Sequence, residues 1–115
     1  RAYLSRHAKV GLGTTVMHEA IVNCSAEIGE NCIINTKALV EHDAKIGNHT
    51  HIATGAFVNG GAQIGQRCFI GSGAVIHNGI DIGDGCLIGA GTIVRTNLPD
   101  GTVLKGQQAA TGMAT

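Results

Sequence analysis

Residues 4–99 form sixteen consecutive six-residue units, each opening on Leu, Val or Ile, with no insertion between them. The openers are Leu4, Val10, Val16, Val22, Ile28, Ile34, Val40, Ile46, Ile52, Val58, Ile64, Ile70, Ile76, Ile82, Ile88 and Val94. The fifth place of each unit is usually small, for instance Ala20, Ala26, Ala38, Ala44, Ala56, Ala62 and Ala74, with Ile80 and Leu98 as the larger exceptions. In a strand, residues two apart share a face, so the fifth residue of one unit and the first of the next point the same way, one small and one branched. That shared direction is the inside. The third and fourth places turn a corner, and the fourth is often a residue that tolerates positive φ: Gly13, Gly55, Gly61, Gly73, Gly79, Gly85, Gly91, Asn31, Asn97 or Asp43.

An apolar period of six is the mark of a parallel β-helix and not of an amphipathic α-helix. Three sides close a triangular coil of 18 residues, and successive coils stack about 4.8 Å apart as parallel strands. Residues 18 apart therefore sit one above another. The units make a little over five coils, which predicts an all-β domain over residues 1–99, whose length is set by repeat number, followed by a C-terminal extension over 100–115. The chain opens at Arg1, without a Met, inside the first stride of the repeat, as a piece of a longer protein would.

Eight basic and eight acidic residues balance to zero formal charge, which offers no electrostatic footprint for nucleic acid or an anionic membrane. The apolar runs are too short for a transmembrane helix, and the N-terminus has no signal-peptide pattern. The expectation is a cytoplasmic protein. Three of the four cysteines, Cys32, Cys68 and Cys86, fall on the small inward place and read as reduced filler. Side chains stacked in parallel about 4.8 Å apart are poorly placed for a bridge whose Cβ atoms want about 3.8 Å. No zinc-ligand spacing appears.

Function then belongs on the three edges. The first edge carries Leu12 and Gly13, Glu30 and Asn31, Asn48 and His49, Gln66 and Arg67, and Asp84 and Gly85, a bulky, charged ridge to which no function is assigned. On the second edge, His18 and Thr36 give way to Thr54, Ser72 and Ala90, so a shallow groove opens towards the C-terminus. The third edge stacks Arg6, Cys24, His42, Gly60, Asn78 and Thr96. Above His42 lie Gly60 and Gly61, which leave space and expose N–H groups. An imidazole there can take a proton from an attacking amine or hydroxyl. Asp43 or Glu41 would fix its tautomer, and the Gly60 N–H would support an oxyanion. The plainer alternative is a solvated corner histidine over an eased turn.

His51 stands half a coil from His42, about 15 Å away across the prism. The two cannot share a substrate within one chain. They meet if prisms pack with the third edge of one against the second edge of its neighbour, where His51 lies beside Asn35 and Thr36. A cyclic trimer would contain three such clefts.

The stretch INTKALVEHDAKIGNHTHIATGAFVNGGAQIG at residues 34–65, followed by residues 68–94, resembles the bacterial sugar acetyltransferases of the NeuD/PglD type. The resemblance spans almost the whole chain, and N-T-x-A-x-x-E-H-D followed by H-I-A-x-G-A is its most specific part. It implies a left-handed parallel β-helix, although crossovers between parallel strands are normally right-handed. It also implies a homotrimer with sites between subunits, and transfer of acetyl from acetyl-CoA, without a metal, to an amino group of a nucleotide-linked sugar or to a hydroxyl of sialic acid. By position His42 is similar to that family's general base and Asp43 to its carboxylate partner. His51 is similar to the residue that contacts acetyl-CoA from the adjoining subunit, with Ser72 and Ala90 further along the groove. Asn35 and Glu41 fall on the acceptor side.

Two departures stand out. The family's N-terminal βαβ domain, which holds the nucleotide-sugar, has no counterpart here, and Gln108 replaces a proline near the end that faces the cofactor's adenine. Lys105 and Arg95 are candidate phosphate partners or ordinary surface charge. The mechanism expected is direct transfer in a ternary complex, with Cys24 as an alternative nucleophile that would need a lowered thiol pKa. Two other functions compete. One is a zinc-dependent carbonic anhydrase of the same fold, which uses histidines five residues apart; His7, His18, His42, His49, His51 and His77 contain no such pair. The other is a noncatalytic trimerisation module.

Overall fold

A computed structural model describes residues 1–105. It contains seventeen two-residue strands in three parallel sheets, the faces of a triangular prism. The β1 face holds β1 (Tyr3–Leu4), β4 (Ile21–Val22), β7 (Leu39–Val40), β10 (Phe57–Val58), β13 (Val75–Ile76) and β16 (Ile93–Val94). The β2 face holds β2 (Lys9–Val10), β5 (Glu27–Ile28), β8 (Lys45–Ile46), β11 (Gln63–Ile64) and β14 (Asp81–Ile82). The β3 face holds β3 (Thr15–Val16), β6 (Ile33–Ile34), β9 (His51–Ile52), β12 (Phe69–Ile70), β15 (Leu87–Ile88) and β17 (Val103–Leu104). The third edge joins the β1 and β2 faces, the first edge the β2 and β3 faces, and the second edge the β3 and β1 faces.

Register follows the 18-residue coil: Phe57 pairs with Leu39 and Val75, and Ile70 with Ile52 and Ile88. The unit openers Val22, Ile34, Val40, Ile52, Val58, Ile70, Ile76 and Ile88 are completely buried, together with Ala20, Ala38, Ala56 and Ala74 from the fifth places. Small residues are required there because each follows a corner, where two faces converge and leave room for little more than a methyl group.

Positive φ, between 55° and 76°, occurs at the fourth place of every unit from residue 7 to residue 91. The expectation named only Gly, Asn and Asp, yet Glu19, Lys37 and Arg67 adopt it too. A left-handed residue with a Cβ costs roughly 1–2 kcal/mol. It is held by the coil below: Lys37 N–H donates to His18 O at 3.1 Å, Asp43 N–H to Cys24 O at 3.1 Å and Arg67 N–H to Asn48 O at 2.9 Å.

The last coil departs from the expected register. Leu98 bridges Ile82, and Val103 pairs with Leu87, offsets of 16 residues. The turn after β16 is thus two residues short. Asn97 does not adopt positive φ; its Oδ1 accepts the Asp81 N–H at 2.9 Å instead. Leu98 occupies an opener's place, and Gly101 supplies the next left-handed corner at φ 75°. The boundary expected at residue 99 therefore falls inside the prism, because β17 continues the β3 face to Leu104, and the seventeen strands make nearly six coils. Gln108 and the rest of the expected extension beyond Lys105 lie outside the described residues.

All four cysteines are free, three of them buried. The inward cysteines do more than fill space. Along the inside of the first edge Thr14 Oγ1 donates to Gly29 O at 2.6 Å, Cys32 Sγ to Gly47 O at 3.1 Å and Thr50 Oγ1 to Gly65 O at 2.7 Å. Cys68 Sγ and Cys86 Sγ continue the series to Gly83 O at 3.0 Å and Pro99 O at 3.2 Å. Burial pushes the Cys68 thiol above its ordinary pKa, with the Cys86 thiol as a lesser cause in the same direction, so it stays a donor.

The faces differ on the outside. The β2 face presents Lys9, Glu27, Lys45, Gln63 and Asp81, whereas the β1 face presents Tyr3, Ile21, Leu39, Phe57, Val75 and Ile93 in one column. Tyr3, Ile21, Phe57 and Ile93 are exposed in a single protomer. The β3 face is intermediate, with exposed Ile33, Phe69, Leu87 and Val103 around His51. Among the described residues no helix is long and apolar enough to cross a membrane.

Candidate active site

His42 projects from the third edge because its unit turns there, between β7 and β8. Its Nδ1 lies 3.2 Å from Asp43 Oδ2. A carboxylate only accepts, so the Nδ1–H donates to it and Nε2, which has no partner among the described residues, keeps its lone pair. Both side chains remain largely exposed, at 61% and 68%. The left-handed φ of 61° at Asp43 swings its carboxylate back beside the preceding ring.

Sequence reasoning placed open space above His42. The ring itself occupies that space: a Cβ on Gly60 would lie 2.6 Å from His42 Nε2 and 2.7 Å from Cε1. Gly60 is therefore a seat for the imidazole. Gly61 N–H donates to His42 O at 3.0 Å, and Gly60 O accepts from Gly79 N–H at 3.0 Å, while Gly60 N–H has no acceptor among the described residues.

Of the two carboxylates considered as orienting groups, Asp43 meets the ring and Glu41 does not. Glu41 Oε1 accepts the His42 backbone N–H at 3.3 Å and the Asn23 Nδ2–H at 2.8 Å. Glu41 thus ties the corner to Asn23 on the coil below. Asn23, which sequence reasoning passed over, shares this brace; its 18-residue offset from Glu41 was the available signal. Cys24 is exposed on the coil beneath His42, its Sγ 3.6 Å from Ser25 Oγ.

His51 stands on the β3 face, away from His42. Its Nε2 is 3.3 Å from Asn35 Nδ2, and its ring meets Phe69 edge-on with centroids 5.0 Å apart. Asn35 touches His51, as their places on the second edge led one to expect. The second edge above them is open. Thr36 N–H is satisfied by Asn35 Oδ1 at 2.7 Å. Thr54, Ser72 and Ala90 follow Ala53, Gly71 and Gly89, which have no side-chain acceptor to offer, so three outward N–H groups ascend the groove with exposed Ser72 and Ala90. The site residues thus fall into two half-sites, His42, Asp43, Gly60 and Glu41 on one edge, and His51, Asn35, Ser72 and Ala90 around the other. A shallow concavity of about 590 Å³ lies elsewhere, along the β2 face between Lys9 and Ile82. Its floor is the glycine column Gly11, Gly29, Gly47 and Gly65, and it holds none of these groups.

Comparison with known proteins follows the same lines. The bacterial transferase hexapeptide (six repeats) matches residues 25–60, and the hexapeptide repeat of succinyl-transferase matches residues 61–95. The two abut and together cover well over half of the chain, which belongs to the hexapeptide-repeat transferases and has their left-handed parallel β-helix. Within that class it is similar to the acetyltransferase domain of PglB from Neisseria gonorrhoeae FA1090, at 34% identity and a TM-score of 0.90 over 91% of this chain and 51% of that one. The same domain has been solved with acetyl coenzyme A. PerB from Caulobacter crescentus, solved with CoA and GDP-perosamine, matches at 36% identity with a TM-score of 0.89, over 91% of this chain and 51% of that one. A histidine-to-alanine variant of that GDP-perosamine N-acetyltransferase, also holding CoA and GDP-perosamine, matches at 35% identity with a TM-score of 0.89, over 91% of this chain and 50% of that one. The chain spans about half the length of these structures. No curated protein sequence matches it.

Proposed function

We propose that this chain is the catalytic β-helix of an acetyl-CoA-dependent sugar acetyltransferase that acetylates the amino group of a nucleotide-linked amino sugar in cytoplasmic glycan biosynthesis. One observation carries the reading: His42 Nε2 lies over Gly60 with no hydrogen-bond partner among the described residues, while Asp43 holds Nδ1. His42 Nε2 takes the proton from the acceptor amine as its nitrogen attacks the thioester carbonyl. Asp43 steadies the imidazolium that results, and the Gly60 N–H, which has no acceptor among the described residues, receives the oxyanion. Collapse of the tetrahedral intermediate expels the CoA thiolate. No acyl-enzyme and no metal enter this route. The matches to enzymes holding acetyl-CoA, CoA and GDP-perosamine support both substrates.

The working unit in this reading is a homotrimer. Three prisms with their β1 faces turned to a threefold axis bury the column Ile21, Leu39, Phe57, Val75 and Ile93. Cyclic symmetry then sets the third edge of each protomer against the second edge of the next. His42 of one protomer thereby faces His51, Ser72 and Ala90 of its neighbour, whose open N–H groups suit the amide carbonyls of the pantetheine arm.

The test is acetyl transfer from acetyl-CoA to UDP- and GDP-linked amino sugars, followed by release of free thiol. His42→Ala is expected to lower kcat by about 10²-fold or more, the scale of general-base catalysis. Full turnover by a folded, trimeric variant would sink the reading. Acetyl transfer to sialic acid alone would move it to O-acetylation, and a trimer that leaves acetyl-CoA unbound would reduce it to an assembly module.

A further inference from the structure

Asn35 is anchored at both ends of its carboxamide. Oδ1 accepts the Thr36 N–H at 2.7 Å, and since a backbone N–H only donates, the other arm is the NH2 group. That arm meets His51 Nε2 at 3.3 Å. An amide nitrogen has no lone pair to give, so Nε2 accepts and the ring proton is on Nδ1. Turning the amide over would set NH2 against the Thr36 N–H, donor against donor, so the orientation is fixed by its surroundings. Phe69, paired in register with His51 on the next coil, closes against the ring at an interplanar angle of 81° and limits its swing. Nδ1 makes no hydrogen bond among the described residues.

We propose that Asn35 is a positioning residue that locks His51 in its Nδ1–H tautomer and so turns the ring into a hydrogen-bond donor to a carbonyl oxygen of the acyl donor. The choice of ligand rests on the acetyl-transfer reading above; the tautomer does not. A thioester or amide carbonyl only accepts, and in the other tautomer His51 would present it a lone pair. The two imidazoles of the cleft are thus set oppositely. His42 spends its proton on Asp43 and shows a lone pair, whereas His51 spends its lone pair on Asn35 and shows a proton. Acyl transfer needs one of each, a base for the nucleophile and a donor for the carbonyl.

Long-range 1H–15N correlation on the uniformly 15N-labelled, ligand-free full chain reads the tautomer directly. The wild type is expected to give the Nδ1–H pattern for His51, and Asn35→Ala to shift it towards Nε2–H with the fold and oligomeric state kept. Asn35→Ala should also lower kcat/KM for acetyl-CoA by about tenfold, an effect that shrinks below about twofold in a His51→Ala background, as coupled residues require. An Nε2–H pattern in the wild type, which needs no variant, overturns the proposal. So does an Asn35→Ala effect that persists undiminished without the His51 ring, the outcome for a residue that contacts the acceptor itself. If acetyl transfer is absent altogether while the Nδ1–H pattern holds and Asn35→Ala abolishes it, the acetyltransferase reading falls and the assignment of Asn35 stands.

Discussion

The first and third edges are built from the same six-residue turn and behave oppositely. On the first edge three corner N–H groups are tied by side chains from the coil above: Asn48 Oδ1 accepts the Glu30 N–H, Asp84 Oδ1 the Gln66 N–H and Asp100 Oδ1 the Asp84 N–H, each at 2.8 Å. Inside it, the Thr and Cys series caps the carbonyls. On the third edge Asn23 and Glu41 tie the Cys24 and His42 N–H groups, but the Gly60 N–H has no acceptor among the described residues, and the His42 ring lies against the place a Cβ would take. The first edge spends side chains on the backbone, and the third withholds one at the corner where the proposed base sits.

Glycine-to-alanine changes on the two edges should separate these roles. A Cβ on Gly47 would lie 2.6 Å from Gly65 C and 2.8 Å from the Gln66 N, both backbone atoms that cannot step aside. Gly47→Ala is expected to cost about 3 kcal/mol in a denaturant titration, with the surviving folded fraction fully active. Gly60→Ala should do the reverse. Its Cβ meets only the exposed His42 ring, which can move, so Tm changes little while kcat falls by about 10²-fold through misplacement of the base. A large loss of Tm in Gly60→Ala, or of specific activity in Gly47→Ala, would break the contrast.

Two smaller effects sharpen it. Asn48→Ala frees one exposed N–H that water can reclaim, so about 1 kcal/mol or less is expected. For the thiols, Cys24 should alkylate in the folded protein, whereas Cys32, Cys68 and Cys86 should react only on unfolding, by mass spectrometry after maleimide treatment. Because burial raises the Cys68 pKa in the folded state, its contribution to stability is complete below the ordinary thiol value of 9.0 and is lost as pH rises through the higher folded value. Unfolding midpoints for wild type and Cys68→Ala should therefore converge above pH 9, and a constant gap would contradict the donor role.

Much of this was legible from the spacing of Ile and Val alone. A strict period of six fixes which way each residue points, so the buried openers, the inward cysteines and the stacking of His42 beneath Gly60 could all be read in advance, whereas the choice between Asp43 and Glu41 beside His42 could not. The last turn could not, because Leu98 is apolar at a place where an apolar residue belongs in either register. Only the echo of Asp84 and Gly85 in Asp100 and Gly101, 16 residues on, betrays the shortening. The filling of the Gly60 space by the ring, the rerouting of Glu41 to the backbone and the hydrogen bonds that join Asn35 to His51 and Thr36, residues already expected side by side, depend on rotamers, which repeat spacing does not encode. The apolar outward column of the β1 face was visible at every eighteenth place, from Tyr3 to Ile93, and went unread beside the stronger inward pattern.

The left-handed backbone at Asp43 has a consequence for anyone improving this scaffold. Seven other corners, from Gly13 to Gly91, use glycine at that conformation, where it is free of Cβ strain. Asp43→Gly would relieve about 1 kcal/mol of that strain while releasing the imidazole. A library ranked by heat resistance alone would drift towards glycine at this corner and arrive at a sturdier protein without the His42–Asp43 hydrogen bond.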